Sequence, residues 1–131
     1  MAALLNTPFS DAEVEEFYAY AFAQYESGNW SEAADVFRVL CTRRPFEGKF
    51  WFGLGAALQE AESYGDALQA WAMAALLLEG DPYPHFHAAE CYFSMQEIEE
   101  AGKALFQVER RMGDNHPLAE KVKLLKEQWQ V

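Results

Sequence analysis

The residues best suited to metal binding or acid–base chemistry lie between positions 85 and 91. His85 and His87 are two residues apart, which is about 200° around a helix axis, so they cannot share a metal ion. His87 and Cys91 could supply half of a metal site, but no second pair stands at a suitable spacing. We expect burial to raise the pKa of Glu90, yet a lone carboxylate without a partner base or nucleophile does not indicate catalysis. We therefore expect no metal, no cofactor and no enzymatic activity.

A second candidate for ligand chemistry is the glycine pair Gly53 and Gly55, whose spacing resembles part of a phosphate-binding loop. Such a loop follows a strand and needs a third glycine. Here the surrounding pattern is helical, and Leu58 stands where the third glycine would be. We interpret the two glycines as small residues at a helix crossing. The net charge of −11 also argues against a nucleic-acid partner, because no basic surface offsets the repulsion by phosphates.

Aromatic side chains form the clearest candidate site. Tyr18, Phe22 and Tyr25 are spaced i, i+4 and i+7, so they share one face of a helix. Equivalent positions later in the chain add three more rings, those of Phe52, Phe86 and Phe93. Uncovered aromatic patches usually mark binding sites, because rings supply much contact area at small entropic cost. We predict that these six rings form an aromatic trough suited to an extended apolar peptide; the alternative is that they thicken the core.

A repeat must position these rings, because the chain has a fixed internal period. Ala33, Ala67 and Ala101 are evenly spaced and mark this period, and a large apolar residue follows each of them by four positions. A period of about 34 residues, with small residues at helix crossings, is typical of the tetratricopeptide repeat, a helix–turn–helix unit that stacks into a solenoid. We therefore predict an all-α fold in which the first helix of each repeat lines the concave face.

The chain is predicted to be a single domain, residues 1–131, with three repeats and a C-terminal capping helix. The predicted boundaries are 14–47, 48–81 and 82–115 for the repeats and about 117–130 for the capping helix. An apolar stripe on the last helix predicts that it covers the end of the solenoid. In the first repeat, the residues predicted to pack its two helices together are Phe17, Tyr20, Ala21, Ala33 and Phe37.

Local signals predict where individual helices begin and end. Ser10 followed by Glu13 predicts a capping box at the start of the first helix. Gly80 is predicted at the C′ position after the fourth helix. Residues 1–5 lack the basic region of a signal peptide. Cys41 and Cys91 stand at unrelated repeat positions, which predicts buried thiols rather than a disulfide.

Several segments resemble the class II chaperones of bacterial type III secretion, the LcrH/SycD family. The stretch from Tyr18 to Ala33 resembles the first repeat of that family, and Phe50-Trp-Phe-Gly-Leu-Gly-Ala56 resembles part of the second. The most specific motif is Phe86-His-Ala-Ala-Glu-Cys91. The resemblance covers about 18–112, which is nearly the whole repeat region.

The resemblance implies a cytoplasmic, non-enzymatic chaperone that binds hydrophobic translocator proteins and keeps them soluble and apart until export. It also implies that an extended, proline-containing translocator segment lies in the concave groove. Tyr18, Phe22 and Tyr25 would line pockets there, and Phe52 and Phe86 would continue them. No membrane insertion is expected.

Two alternatives and one question of assembly are left open. A chaperone of the needle subunit would bind an amphipathic helix, and a general tetratricopeptide scaffold would assemble other protein complexes. Family members carry a longer N-terminal segment, used in dimer formation, than the ten or so residues that precede the first predicted helix here. A homodimer is therefore left open.

Overall fold

The computed structural model describes residues 9–131, and within that range every regular secondary-structure element is a helix. The helices are α1 Asp11–Glu26, α2 Trp30–Arg43, α3 Gly48–Glu60, α4 Tyr64–Leu77, α5 Tyr83–Ser94, α6 Ile98–Arg111 and α7 Leu118–Trp129. The signal-peptide expectation concerns residues 1–5, which lie outside the described residues. Among the described helices, none has both the length and the apolar character needed to cross a membrane.

Three helical hairpins, α1–α2, α3–α4 and α5–α6, stack in sequence, which confirms the predicted all-α repeat architecture. The alanines that mark the period, Ala33, Ala67 and Ala101, have no exposed surface. A methyl group at these points lets the two helices of a hairpin approach closely. The large residues four positions later, Phe37, Trp71 and Leu105, are buried beside them. The repeat period therefore corresponds to a repeated packing unit.

Gly53 and Gly55 lie inside α3, so the helix-crossing interpretation is confirmed. A Cβ atom added to Gly55 would lie 2.8 Å from the Trp71 ring, and one added to Gly53 would collide with the Phe37 ring. The two glycines let α3 receive one large ring from its own hairpin and one from the hairpin before it. Neither glycine has the strand-to-helix setting of a phosphate loop.

The predicted helix start is confirmed, whereas one predicted helix end is wrong. The Ser10 hydroxyl accepts a hydrogen bond from the Glu13 N–H, and the Glu13 carboxylate accepts one from the Ser10 N–H. Gly80 is not the C′ residue of α4, because that helix ends three residues earlier, at Leu77. The chain turns there as Leu78 packs against Gly48, where an added Cβ would meet the leucine at 2.7 Å.

Tyr20 does not belong to the core, which corrects the prediction from the repeat pattern. Its side chain is 44% exposed, and its hydroxyl donates to Glu32 Oε1 over 3.0 Å. The equivalent residue of the second repeat, Leu54, is buried. The difference arises because, within residues 9–131, no repeat precedes α1 to cover this position.

The C-terminal helix α7 covers the end of the third repeat, as predicted for a capping helix. Leu118 and Val122 on α7 are each 2% exposed and belong to one cluster with Leu105 and Val108 of α6. Most of the remaining buried side chains belong to a second cluster, which spans the first two repeats. The capping helix therefore closes the apolar surface that the last hairpin would otherwise expose.

Candidate functional site

An open cleft of about 360 Å³ lies between the first and second repeats, where α1 faces α3. Four of the six residues predicted for the aromatic trough line this cleft, namely Tyr18, Phe22, Tyr25 and Phe52. Further lining residues are Phe37, Lys49, Gly53, Ala56, Leu78 and Asp81. Lys49 and Asp81 are the only charged residues among them. The cleft is therefore apolar, with one charge of each sign.

The three rings of α1 differ in how firmly they are held. Tyr18 packs against Phe50 and Phe37, with ring centroids 5.5 and 6.1 Å away. Tyr25 packs edge-on against Trp30 at 5.2 Å, and burial, with a smaller effect of the Glu60 charge, raises its pKa. Phe22 is 47% exposed. Two fixed rings therefore flank one ring that is free to contact a ligand.

Phe52 contributes an aromatic ring to the second-repeat wall of the cleft, and its neighbours fix this ring in place. Its ring meets Trp71 edge-on at 4.8 Å with an interplanar angle of 90°, and it meets His87 at 5.8 Å. Aromatic pairs favour such edge-to-face arrangements. The Phe52 ring is therefore a preformed surface rather than one that must be ordered on binding.

Lys49 is held at the cleft by several weak contacts. Its ammonium group lies 4.8 Å from the Tyr18 ring centroid and 5.5 Å from that of Phe50. It also lies 3.6 Å from Glu15 Oε1. Cation–π contacts of this kind place a positive charge next to an aromatic surface.

Phe86 and Phe93 do not line the cleft, so their expected place in an open trough is wrong. Each is only 4% exposed and packs in the cluster formed with α7. The Phe93 ring stacks on Trp129 with centroids 5.1 Å apart. They are buried because α7 lies against the first helix of the last repeat, where a further repeat would otherwise stack.

Beyond the cleft, a polar network joins the second and third repeats. The Trp71 indole N–H donates to Gln59 Oε1 over 2.9 Å, and the Gln59 amide donates to Glu90 Oε1 over 3.1 Å. His87 Nδ1 lies 2.7 Å from the same carboxylate oxygen. Burial alone would raise the pKa of Glu90, but its contacts with His87, together with Gln59 and Lys121, outweigh burial and lower it. The expected rise is therefore wrong.

Sequence reasoning missed several residues of the cleft. Ala56 stands one repeat period after Phe22, so the period alone could have placed it there. Phe37 and Gly53 were assigned only to packing, yet both also contribute surface to the cleft. Leu78 and Asp81 come from the connection between α4 and α5, where no periodic signal exists.

The tetratricopeptide repeat family model matches residues 14–45 and 49–80. The low calcium response locus protein H of Yersinia pestis is 36% identical over 112 residues, which is 86% of this chain. The chain spans 66% of the length of that relative.

The SycD structure from Yersinia enterocolitica, a type III secretion chaperone in complex with a peptide of the translocator YopD, is 31% identical to this chain. The TM-score is 0.86, and the match covers 92% of this chain and 95% of SycD. This chain belongs to the type III secretion translocator chaperones. A second family member, PcrH from Pseudomonas aeruginosa in complex with the chaperone-binding region of PopD, has a TM-score of 0.88 at 27% identity. That match covers 95% of this chain and 96% of PcrH.

Proposed function

We propose that this chain binds an extended segment of a hydrophobic translocator protein, its client, and keeps the client unassembled before export by a type III secretion system. Binding takes place in the cleft between the first two repeats, in the cytoplasm of the bacterium. The chain acts by binding, not by catalysis. The alternatives are that the chain is a chaperone of the needle subunit or a general scaffold for protein complexes, and co-expression with candidate clients distinguishes among the three.

The open apolar cleft is the observation that carries this proposal. Phe22 presents its ring to solvent between the fixed rings of Tyr18 and Tyr25, opposite Phe52. Exposing such a surface has no benefit for folding, since burying it would stabilise the chain by about 25 cal/mol for each Å² removed from water. Exposed aromatic surface of this kind usually marks a binding site. SycD with its YopD peptide and PcrH with its PopD region support a translocator segment as the ligand.

The shape and chemistry of the cleft favour a chain segment with large apolar side chains. A cleft of about 360 Å³ falls within the range of sites that take a few such side chains, about 300–1,000 Å³. A peptide lying along the concave face would cross the first helix of each repeat in turn, namely α1, α3 and α5. An extended peptide would place alternate side chains toward the protein and leave the others in solvent.

Co-expression tests the proposal directly. The chain is expressed with the translocators and, separately, with the needle subunit of the same secretion system. We expect it to bring a translocator into the soluble fraction and to copurify with it. Rescue of the needle subunit alone would replace this function by the first alternative, and rescue of neither would favour the scaffold.

Matched substitutions locate the binding site. Phe22→Glu and Tyr25→Glu should each abolish copurification of the translocator, because a carboxylate in the cleft must be desolvated against apolar side chains. Phe106→Glu is the control, since Phe106 is 58% exposed on α6, away from the cleft. All variants should retain helical circular dichroism. Loss of helicity in both cleft variants would mean that these rings are core.

A further inference from the structure

Glu90 occupies the same row of the concave face as the ring at the cleft. Phe22, Ala56 and Glu90 follow one another at intervals of one repeat period, on the first helices of three successive repeats. Phe22 and Ala56 line the cleft. A peptide that follows the row would pass from an aromatic ring, over a methyl group, to a carboxylate. The row is therefore apolar where it begins, on α1, and negatively charged where it ends, on α5.

The protein holds the Glu90 carboxylate in one orientation. Its Oε1 accepts from the Gln59 amide over 3.1 Å and from the His87 ring N–H over 2.7 Å. Gln59 is itself oriented by the Trp71 indole, and His87 stacks on the Trp71 ring with centroids 4.8 Å apart. The carboxylate is therefore preorganised by α3, α4 and α5 together.

One oxygen of this carboxylate is available to a ligand. Both hydrogen bonds end on Oε1, and among residues 9–131 none reaches Oε2. The Glu90 side chain is 38% exposed. Lys121 of α7 is the nearby cation, but no ion pair within 4.0 Å joins it to Glu90 in the described part of the chain. A charged hydrogen-bond acceptor thus faces the concave side with half of its capacity unused.

Resting on the proposed function, we propose that Glu90 is a specificity-determining residue that pairs with a lysine or arginine of the client segment. The overall charge of −11 favours a basic segment as the partner. Packed helices lie about 8–10 Å apart, so Glu90 on α5 is about one and a half helix spacings from the cleft between α1 and α3. At about 3.3 Å for each extended residue, the basic residue stands about four residues from the side chain that fills the cleft.

Selection from a phage-displayed library of random peptides tests this pairing without knowledge of the client. The full chain, its Glu90→Gln variant and its Phe22→Glu variant each serve as bait. Glu90→Gln keeps an oxygen that can accept from Gln59 and His87 but removes the charge. Glu99→Gln is the charge-matched control, because the Glu99 side chain is 87% exposed on α6. Unfolding in urea checks that every bait is folded.

We expect the wild-type chain to enrich peptides with a large apolar residue and a lysine or arginine at a fixed separation of about four. Glu90→Gln should still enrich the apolar residue but not the basic one, and Glu99→Gln should behave as wild type. For one selected peptide, replacing Glu90 by glutamine in the chain should weaken binding about tenfold, and so should replacing the lysine of the peptide by alanine. The two changes combined should weaken binding no more than either change alone.

The outcomes separate the two proposals. Apolar enrichment without a basic residue in the wild-type pool would overturn the role of Glu90 and leave the cleft function intact. A basic preference that persists in Glu90→Gln would also overturn it, since another acidic residue would then be the partner. Enrichment of no peptide by any bait would reject the cleft function, and the Glu90 pairing with it.

Discussion

The ring of Phe93 lies almost flat on the ring of Trp129, with centroids 5.1 Å apart and planes inclined by 17°. This contact joins the end of α5 to the end of α7. It makes the third repeat part of the core rather than part of an open trough. The length of exposed aromatic surface is thus set by the capping helix and not by the number of repeats.

Removing the Trp129 ring should therefore destabilise the C-terminal end of the solenoid. We expect Trp129→Ala to lower the free energy of unfolding by about 2 kcal/mol, less than for a fully buried aromatic residue because Trp129 is partly exposed. Urea unfolding followed by circular dichroism measures this. Leu124→Ala on the same helix is the control, since Leu124 is 54% exposed and should change stability little. Equal midpoints for Trp129→Ala and wild type would show that the contact between Trp129 and Phe93 does not stabilise the third repeat.

Adding a methyl group at Gly53 tests whether the position of the Phe37 ring shapes the cleft. Gly53 lines the cleft, and a Cβ atom there would overlap the Phe37 ring. We expect Gly53→Ala to push this ring aside, to lower the free energy of unfolding by about 1–3 kcal/mol and to weaken client copurification. Thermal unfolding and the co-expression assay measure the two effects.

Gly65→Ala supplies the control for that substitution. Gly65 lies near the start of α4, and a Cβ atom there would meet nothing within 4 Å. Alanine favours the helix over glycine by about 0.5–1 kcal/mol, so this variant should be at least as stable as wild type. If both variants lost stability equally, the overlap with Phe37 would not be the cause.

The repeat period was enough to predict the fold and the four rings that line the cleft. Tyr18, Phe22 and Tyr25 follow from helix periodicity, and Phe52 follows from Tyr18 by one repeat. Each of these positions depends only on contacts within a repeat or with the next one. Such contacts recur along the chain, so a sequence pattern records them.

The ends of the array could not be predicted in this way. Phe86 and Phe93 obey the same spacing, but α7 covers them. Tyr20 is exposed for the opposite reason, because in residues 9–131 no repeat stands before α1 to cover it. Periodicity describes what a residue meets inside a repeating array, and terminal repeats have different neighbours. The direction of the Glu90 pKa shift was wrong because only burial was considered, whereas His87 on the same helix lowers the pKa most and Gln59 adds to this from the preceding repeat.

The two cysteines should be unreactive in the folded chain. Burial raises the pKa of the Cys41 and Cys91 thiols to about 12 in each case. The nucleophilic thiolate is therefore scarce at pH 8. We expect iodoacetamide to modify neither residue in the native protein and both in urea, as measured by intact mass. Rapid labelling of either cysteine without denaturant would contradict the buried position.

Acid should weaken the contact between Glu90 and His87. Burial alone would raise the pKa of Glu90, but the hydrogen bond and charge of His87, together with Gln59 and Lys121, outweigh it, so the folded-state pKa lies below the usual value of 4.5. The carboxylate therefore stabilises the native state above pH 4.5, and this contribution is lost as the pH falls through the lower, folded-state pKa. The stability difference between wild type and Glu90→Gln should accordingly be largest near neutral pH and shrink in acid, as measured by urea unfolding across pH.

His87→Phe provides the second arm of this experiment, because it keeps a ring against Trp71 and Phe52 while removing the donor to Glu90. In that background, Glu90 loses the partner that lowers its pKa most, and burial is opposed only by the Gln59 hydrogen bond and the Lys121 charge. Replacing Glu90 by glutamine should then cost less stability at neutral pH than it does in the wild-type background. If the stability difference between wild type and Glu90→Gln stayed constant from neutral to acid pH, Glu90 and His87 would not be coupled in the folded chain. The same conclusion would follow if the effect of replacing Glu90 by glutamine were unchanged in His87→Phe.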